Sequence, residues 1–208
     1  MINAITGQEN SLYYRLRQDI QEAREMKFIV SFLMESGVKL IIDDLKKAID
    51  NGASLKIITG TYLNITEPSA IYYLKDKFGD KVEVRFFNKA GVSFHPKTYI
   101  IHKDKESLLY IGSSNISKAA LTHGVEWNYG LVKSLSPADF NRFEEEFDYI
   151  YKNQSDLVTD ERLKEYASIW KRPKISKKMD KEIAEERPGK IEPRRAQIEA
   201  LYELKKAR

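Results

Sequence analysis

His95 and Lys97, in the stretch Ser93-Phe94-His95-Pro96-Lys97, are a pair suited to chemistry on a phosphate. They lead into Thr98-Tyr99-Ile100-Ile101, which reads as a β-strand. Residues two apart on a strand point to one face, so both side chains project together. An imidazole can attack phosphorus or deliver a proton, and a fixed ammonium neutralises charge developing on non-bridging oxygens. Downstream, Gly112-Ser113-Ser114-Asn115 lies between a strand and a helix. A glycine there lets the backbone approach a ligand, and a helix start offers free N–H groups to an anion. Ser113 and Asn115 add side-chain donors, and Glu126 can accept a hydrogen bond from a histidine ring and so fix its tautomer. Taken singly, each has a plainer reading: a structural histidine, turn and cap residues, a strand-end charge. Their order along the chain is what favours chemistry.

The elements that must position these residues follow from periodicity. Asn10 or Ser11 caps a helix running to about Glu25, with Leu12, Leu16 and Ile20 on one face. Lys27 to Leu33, Ser54 to Gly60 and Val82 to Phe87 read as strands, separated by helices over about 37–50 and 67–78. The first of these helices stops at Asn51-Gly52, a pair suited to a left-handed helix end. Strands alternating with helices imply parallel pairing and an α/β class. Thr98 to Ile101 and Leu108 to Ile111, joined by the polar run His102 to Ser107, predict an antiparallel hairpin. A short helix near Lys118 to Leu121, a strand from Glu126 to Val132 and a helix from Pro137 to about Tyr151 follow. Residues 155–171 predict one amphipathic helix, 172–190 a charged flexible linker, and 191–208 a further helix. Phe94, Tyr99 and Trp127 are expected in the core, and His102 and His123 in solvated turns.

Composition narrows the classes. No run approaches the roughly 18 consecutive apolar residues of a membrane span, and no apolar interfacial helix is evident. The start, Met1 to Thr6, lacks the basic and apolar segments of a signal peptide. With no cysteine, disulfides and thiolate metal sites are excluded, and a reducing cytoplasm is the expected location. The formal charge of +4 leans towards polyanionic partners. Basic residues cluster at Lys171 to Lys178, a run read as a solvated linker ahead of a DNA clamp, and Lys89 precedes the flexible Ala90-Gly91 loop that leads to the His95 strand, a contact to a phosphate backbone being its lesser reading. No carboxylate and histidine cluster has metal-site spacing, so no metal or cofactor is expected.

His95-x-Lys97, then Gly112-Ser113-x-Asn115, then Glu126, resembles the HKD motif of the phospholipase D superfamily, and in particular its bacterial nucleases with one motif per chain. The resemblance covers roughly residues 10–150. It implies a mixed sheet flanked by helices, with residues 1–153 as the phosphodiesterase domain and 154–208 as a helical and charged extension. It also implies a homodimer, because two motifs face one active site and this chain carries a single HxK. His95 of one subunit would attack phosphorus and His95 of the other would protonate the leaving oxygen. Lys97 and Asn115 would hold the phosphoryl oxygens, Ser113 would support the site, and Glu126 would orient the histidine. One departure is clear: the motif aspartate position is occupied by His102, with Asp104 two residues on.

The run Ile191 to Leu201 resembles the segment that precedes the nucleotide-binding loop of superfamily 2 helicases. This implies a nuclease part of a longer helicase or restriction-type protein, with a covalently linked helicase domain. No GxxxxGK[ST] occurs, so the chain itself is not expected to hydrolyse ATP. DNA is the expected partner, ahead of RNA. The readings carried beside a metal-independent endonuclease are a DNA-binding module that positions a helicase and, third, a lipid phosphodiesterase.

Overall fold

In the computed structural model the described residues are 3–7, 10–171 and 195–206. The apolar run ending in Phe28-Ile29-Val30 becomes the middle of the sheet. Strands β2 (Ala23–Val30), β3 (Ser54–Thr59) and β4 (Val82–Phe87) pair in parallel, in register Val30 to Thr59 and Thr59 to Phe86. The other edge of β2 takes β5 (Lys97–Lys103) antiparallel, with Val30 opposite Lys97. The sheet continues antiparallel through β6 (Ser107–Gly112), β7 (Asn128–Val132) and the short β1 (Ala4–Ile5), while β8 (Ser155–Leu157) closes the far edge against β4. The result is an eight-stranded mixed sheet in the order β1-β7-β6-β5-β2-β3-β4-β8.

Alternation along the strands divides the core between two faces. Met26, Phe28, Val30, Ile57, Tyr99 and Ile101 join one cluster with helices α1 (Leu12–Gln21), α2 (Glu35–Asp50) and α3 (Pro68–Phe78). Ile29, Ile58, Ile100 and Leu109 face Phe140 and Phe147 of α5 (Pro137–Asn153) on the other side. Helix α1 is held by Leu12, Leu16 and Ile20, spaced four apart and buried, each contributing about 1.5–3 kcal/mol. Helix α2 ends as its sequence predicts: Gly52 takes φ 92°, and Ala53 N–H and Gly52 N–H donate to the Ala48 and Ile49 carbonyls. A buried charge cluster lies under α5. Lys27 Nζ donates to Glu144 Oε1 at 2.9 Å and contacts Asp148 at 3.1 Å.

Three expectations need correction. The first helix ends at Gln21 rather than near Glu25, because Ala23 already pairs with Lys103 across an irregularity in β2. The single helix expected over 155–171 is a strand, β8, followed by α6 (Asp160–Ile169). The apolar spacing of Leu163, Tyr166 and Trp170 suits a helix, but Arg85 Nη2 donates to the Ser155 carbonyl at 2.7 Å and draws 155–157 onto the edge of β4. Thr159 then caps α6, accepting from Arg162 N–H. Thus sheet and core extend past residue 153 as far as Trp170. The strand expected from Glu126 begins at Asn128. The linker expected over 172–190 lies outside the described residues. Helix α7 (Arg195–Lys206) lies against α3 and α6, where Tyr202 donates to Asp160 at 2.8 Å.

The short helix α4 (Lys118–Leu121) and the loop before it meet α2 at Gly37. A Cβ at Gly37 would lie 2.4 Å from the Ile116 carbonyl carbon and 2.5 Å from Ser117 nitrogen, both backbone atoms with little freedom to yield. Gly37→Ala is therefore expected to cost about 1–3 kcal/mol, as overpacking does. The urea midpoint should fall with an unchanged slope.

Candidate active site

His95 and Lys97 enter β5 next to the end of β2. The imidazole is exposed, while Lys97 is only 6% exposed. Lys97 Nζ lies 2.6 Å from His95 Nδ1 and donates to the His95 carbonyl at 3.0 Å. The ring of Phe32 stands edge-on to the imidazole, centroids 6.0 Å apart. Burial pushes the Lys97 ammonium below its ordinary value, and the negative charge of Glu126 opposes this without reversing it. Lys97 is therefore a cation in a poorly hydrated place with no carboxylate bonded to it among the described residues, which is a receptive setting for a phosphoryl oxygen.

The second part of the constellation is brought to the same place. Asn115 Oδ1 accepts from Phe32 N–H at 3.0 Å, and Met34 N–H donates to the Ile116 carbonyl at 2.9 Å. No partner is taken by the Asn115 amide nitrogen among the described residues. Gly112 is required by close approach: a Cβ there would meet the Trp127 carbonyl oxygen at 2.2 Å. Ser113 is engaged with the same residue, its hydroxyl accepting from Trp127 N–H at 3.0 Å. The Ser114 carbonyl accepts from the buried Tyr99 hydroxyl at 2.9 Å.

Glu126 is half-buried and acts electrostatically on Lys97 and Tyr99, but no hydrogen bond joins it to His95 among the described residues. His102 is not in a solvated turn as expected. It is half-buried on the α5 face, with Nδ1 2.9 Å from Ser107 Oγ and Nε2 2.7 Å from Glu144 Oε1, off the line of a good hydrogen bond. It lies five residues beyond Lys97, and an odd spacing on a strand sends a side chain to the opposite face. His102 is therefore separated from His95 and Lys97 by the sheet. His123 is exposed beside Thr122, 3.0 Å away. Phe94 and Tyr99 are buried as expected, but Trp127 is 72% exposed, because its backbone is tied to Ser113 at the margin of the sheet.

The model of the family described as "Cardiolipin synthase, PLD-like domain" matches residues 16–151. The chain belongs to this PLD-like family. Among solved structures, the PLD-like domain is similar to NucT from Helicobacter pylori, at 20% identity and TM-score 0.53, over 68% of this chain and 87% of that one. It is similar to Nuc of the phospholipase D family from Salmonella typhimurium, at 20% identity and TM-score 0.56, over 76% and 97%. It also resembles the phosphatidylserine synthase of Haemophilus influenzae Rd KW20, at 12% identity and TM-score 0.58, over 87% and 44%. These likenesses establish a shared fold. No curated protein matches the chain.

Two residues of the PLD-like domain's site have no mark in the local sequence. Phe32 contributes a ring to His95 and a backbone N–H to Asn115, and Ser31 Oγ donates to the Pro96 carbonyl at 3.2 Å. Both follow β2, and only the pairing of β5 against β2 reveals their position. Among the described residues no group of three or more His, Cys, Asp and Glu is placed to hold a metal ion. No helix among them is long and apolar enough to cross a membrane.

The charge on Lys97 gives a prediction with a definite sign. Its folded-state pKa lies below that of a free lysine, so it loses its proton at a lower pH than a free lysine does. Glu126 opposes that loss, so Glu126→Gln should move the titration further down. Carbon-13 NMR of the lysine side chains across alkaline pH reads both. An unmoved Lys97 resonance in Glu126→Gln would show that the carboxylate does not act there.

Proposed function

We propose that the chain is a metal-independent phosphodiesterase that cleaves DNA through a covalent phosphohistidine. The observation that carries this is the exposed His95 imidazole 2.6 Å from a desolvated Lys97 ammonium, beside an Asn115 amide fixed through its oxygen. In the first step His95 attacks phosphorus; a P–N bond forms, the P–O bond to the leaving group breaks, and a proton goes to the departing oxygen. In the second, water attacks phosphorus after giving a proton to a base; the P–N bond breaks and the imidazole is regenerated.

One imidazole cannot be both the nucleophile and the group that protonates the leaving oxygen. The chain offers His95 alone with these neighbours, so the acid and base roles fall to His95 of the partner subunit in a homodimer. With the ammonium donating to Nδ1, a neutral ring carries its proton on Nε2. As acid, the partner's ring is the imidazolium, which releases one proton to the leaving oxygen and is left neutral. The nucleophile is a neutral ring with a free Nε2, and it becomes available when a phosphoryl oxygen takes the ammonium and a turned ring donates an Nδ1–H hydrogen bond to Glu126. Lys97 and Asn115 hold the non-bridging oxygens, and Ser113 keeps the loop against Trp127.

The cysteine-free, mildly basic sequence supports a cytoplasmic setting and DNA ahead of RNA. Residues 1–153 carry the activity in this reading, and 154–208 lead towards a helicase-like domain of a restriction or defence protein. Part of the run that suggests this, 191–194, lies outside the described residues. The competing reading, a silent DNA-binding module, drew on His102, and that residue faces the layer opposite Lys97.

Plasmid DNA incubated with excess EDTA tests the proposal. The wild-type chain should nick or linearise it, and His95→Ala should lower the rate by about 100- to 10,000-fold, the range set by losing an acid–base or nucleophilic group. Undiminished cleavage by His95→Ala, or no cleavage by a wild-type preparation shown to be dimeric, would sink it.

A further inference from the structure

The loop that ends at Phe94, the residue before His95, helps form a groove of about 460 Å³, lined by Gly60, Thr61, Tyr62, Lys89, Val92 and Phe94. Its walls are the segments that follow β3 and β4 and the loop that leads into β5. These are carboxyl ends of parallel strands, where open α/β sheets bind ligands. The groove is continuous with the catalytic strand: Phe94 precedes His95, and its ring stacks on Phe87 with centroids 4.4 Å apart. Gly60 is tied to the end of β2, its N–H donating to the Ser31 carbonyl.

Two side chains of the loop that follows β3 stand in water: Tyr62, which lines the groove, and its chain neighbour Leu63. Tyr62 is 67% exposed and Leu63 is 60% exposed. The loop that carries them is anchored at its base, where Thr66 Oγ1 donates to the Gly60 carbonyl at 2.6 Å and Glu67 N–H donates to the Leu33 carbonyl at 2.9 Å. Yet Leu63 and Asn64 have φ of 56° and 53°, a left-handed pair that is unfavourable for leucine. Folding gains nothing from a strained turn that displays a tyrosine and a leucine to solvent. Lys89, which also lines the groove, is exposed and has no ion-pair partner among the described residues.

We infer that this groove is a base-stacking subsite for single-stranded nucleic acid, with Tyr62 and Leu63 as the platform for one unpaired base and Lys89 as the contact to its phosphate. The choice of ligand rests on the phosphodiesterase reading of His95. A flat apolar face next to a cation, a few residues from the reacting histidine, matches a nucleotide whose base is free. Bases within a duplex keep their faces stacked on one another and cannot cover the Tyr62 ring. Aromatic stacking of this kind is tolerant of sequence.

Fluorescence anisotropy with a short labelled DNA oligonucleotide, single-stranded or annealed to its complement, separates the outcomes. Binding is measured in the His95→Ala background, so that no cleavage intervenes. Tyr62→Ala should weaken single-strand binding about ten-fold, Tyr62→Phe should retain it, and duplex binding should change less than about two-fold. Equal loss on both forms, no loss on either, or a change of oligomeric state in Tyr62→Ala would each overturn the subsite. Cleavage by the wild-type chain in EDTA is followed alongside. Its absence together with Tyr62-dependent single-strand binding would sink the nuclease reading and leave the subsite standing; cleavage without that dependence would do the reverse.

Discussion

The carboxyl end of β2 is the point on which the site depends. A strand that stops leaves backbone N–H and C=O groups that need partners. Here each neighbour supplies one. Val30 pairs with Lys97, Ser31 takes Gly60 N–H on its carbonyl and gives its hydroxyl to Pro96, Phe32 N–H goes to Asn115, and Met34 N–H goes to Ile116. These four residues of the stretch 30–34 thereby fix β5, the Gly-Ser-x-Asn loop and the loop after β3 relative to one another. Glycine is needed where these segments come closest, at Gly37 against Ile116 and at Gly112 against Trp127. The arrangement of the candidate site is thus a property of backbone pairing, and the His95 imidazole is left exposed.

Two lysines show how the sheet separates structural from chemical charge. Lys27 and Lys97 are equally hidden, each 6% exposed. Burial depresses both, but Lys27 hydrogen-bonds Glu144 and Asp148 and ends above its ordinary value, whereas Lys97 faces only the field of Glu126 and ends below it. The first charge is neutralised within the fold. The second is left without a bonded carboxylate among the described residues. The strand alternation that puts Tyr99 on the α1 to α3 face puts Ile100 and His102 on the α5 face, so the two charge systems do not meet. His102, at the position of the resembled motif's aspartate, instead lies beside the Lys27–Glu144 cluster, its Nε2 2.7 Å from Glu144 Oε1 but off the line of a good hydrogen bond.

Much of this was legible in the amino-acid sequence because the signals were local. Val82 to Phe87, the Asn51-Gly52 helix end and the hairpin around 102–107 each follow from a few adjacent residues, and so does the common face of His95 and Lys97. The misreadings share a cause, which is that a distant segment decided the outcome. Residues 155–157 are strand because Arg85 and the edge of β4 bind them, and nothing in their own pattern says so. Trp127 looks like a core aromatic until its backbone is seen tied to Ser113 at the sheet margin. Phe32 is silent for the same reason, since its part in the site comes from lying beside a strand more than sixty residues further along the chain. The order of motif residues could be read; which neighbours they would find could not.

What remains exposed then acquires meaning by contrast. Side chains that hold the frame, such as Tyr99 under Ser114, are buried and bonded. His95, Tyr62 and Trp127 stand at the ends of strands and in the loops that follow, on backbone that is firmly held. An exposed imidazole and the exposed side chains around the sheet's margin are open to a ligand too large for a closed pocket. The cost is apolar area in water and, at Leu63 and Asn64, a turn held in an unfavourable conformation. A fold stabilised by two well-filled faces can sustain such a margin, because none of the exposed groups carries the packing on which the sheet depends.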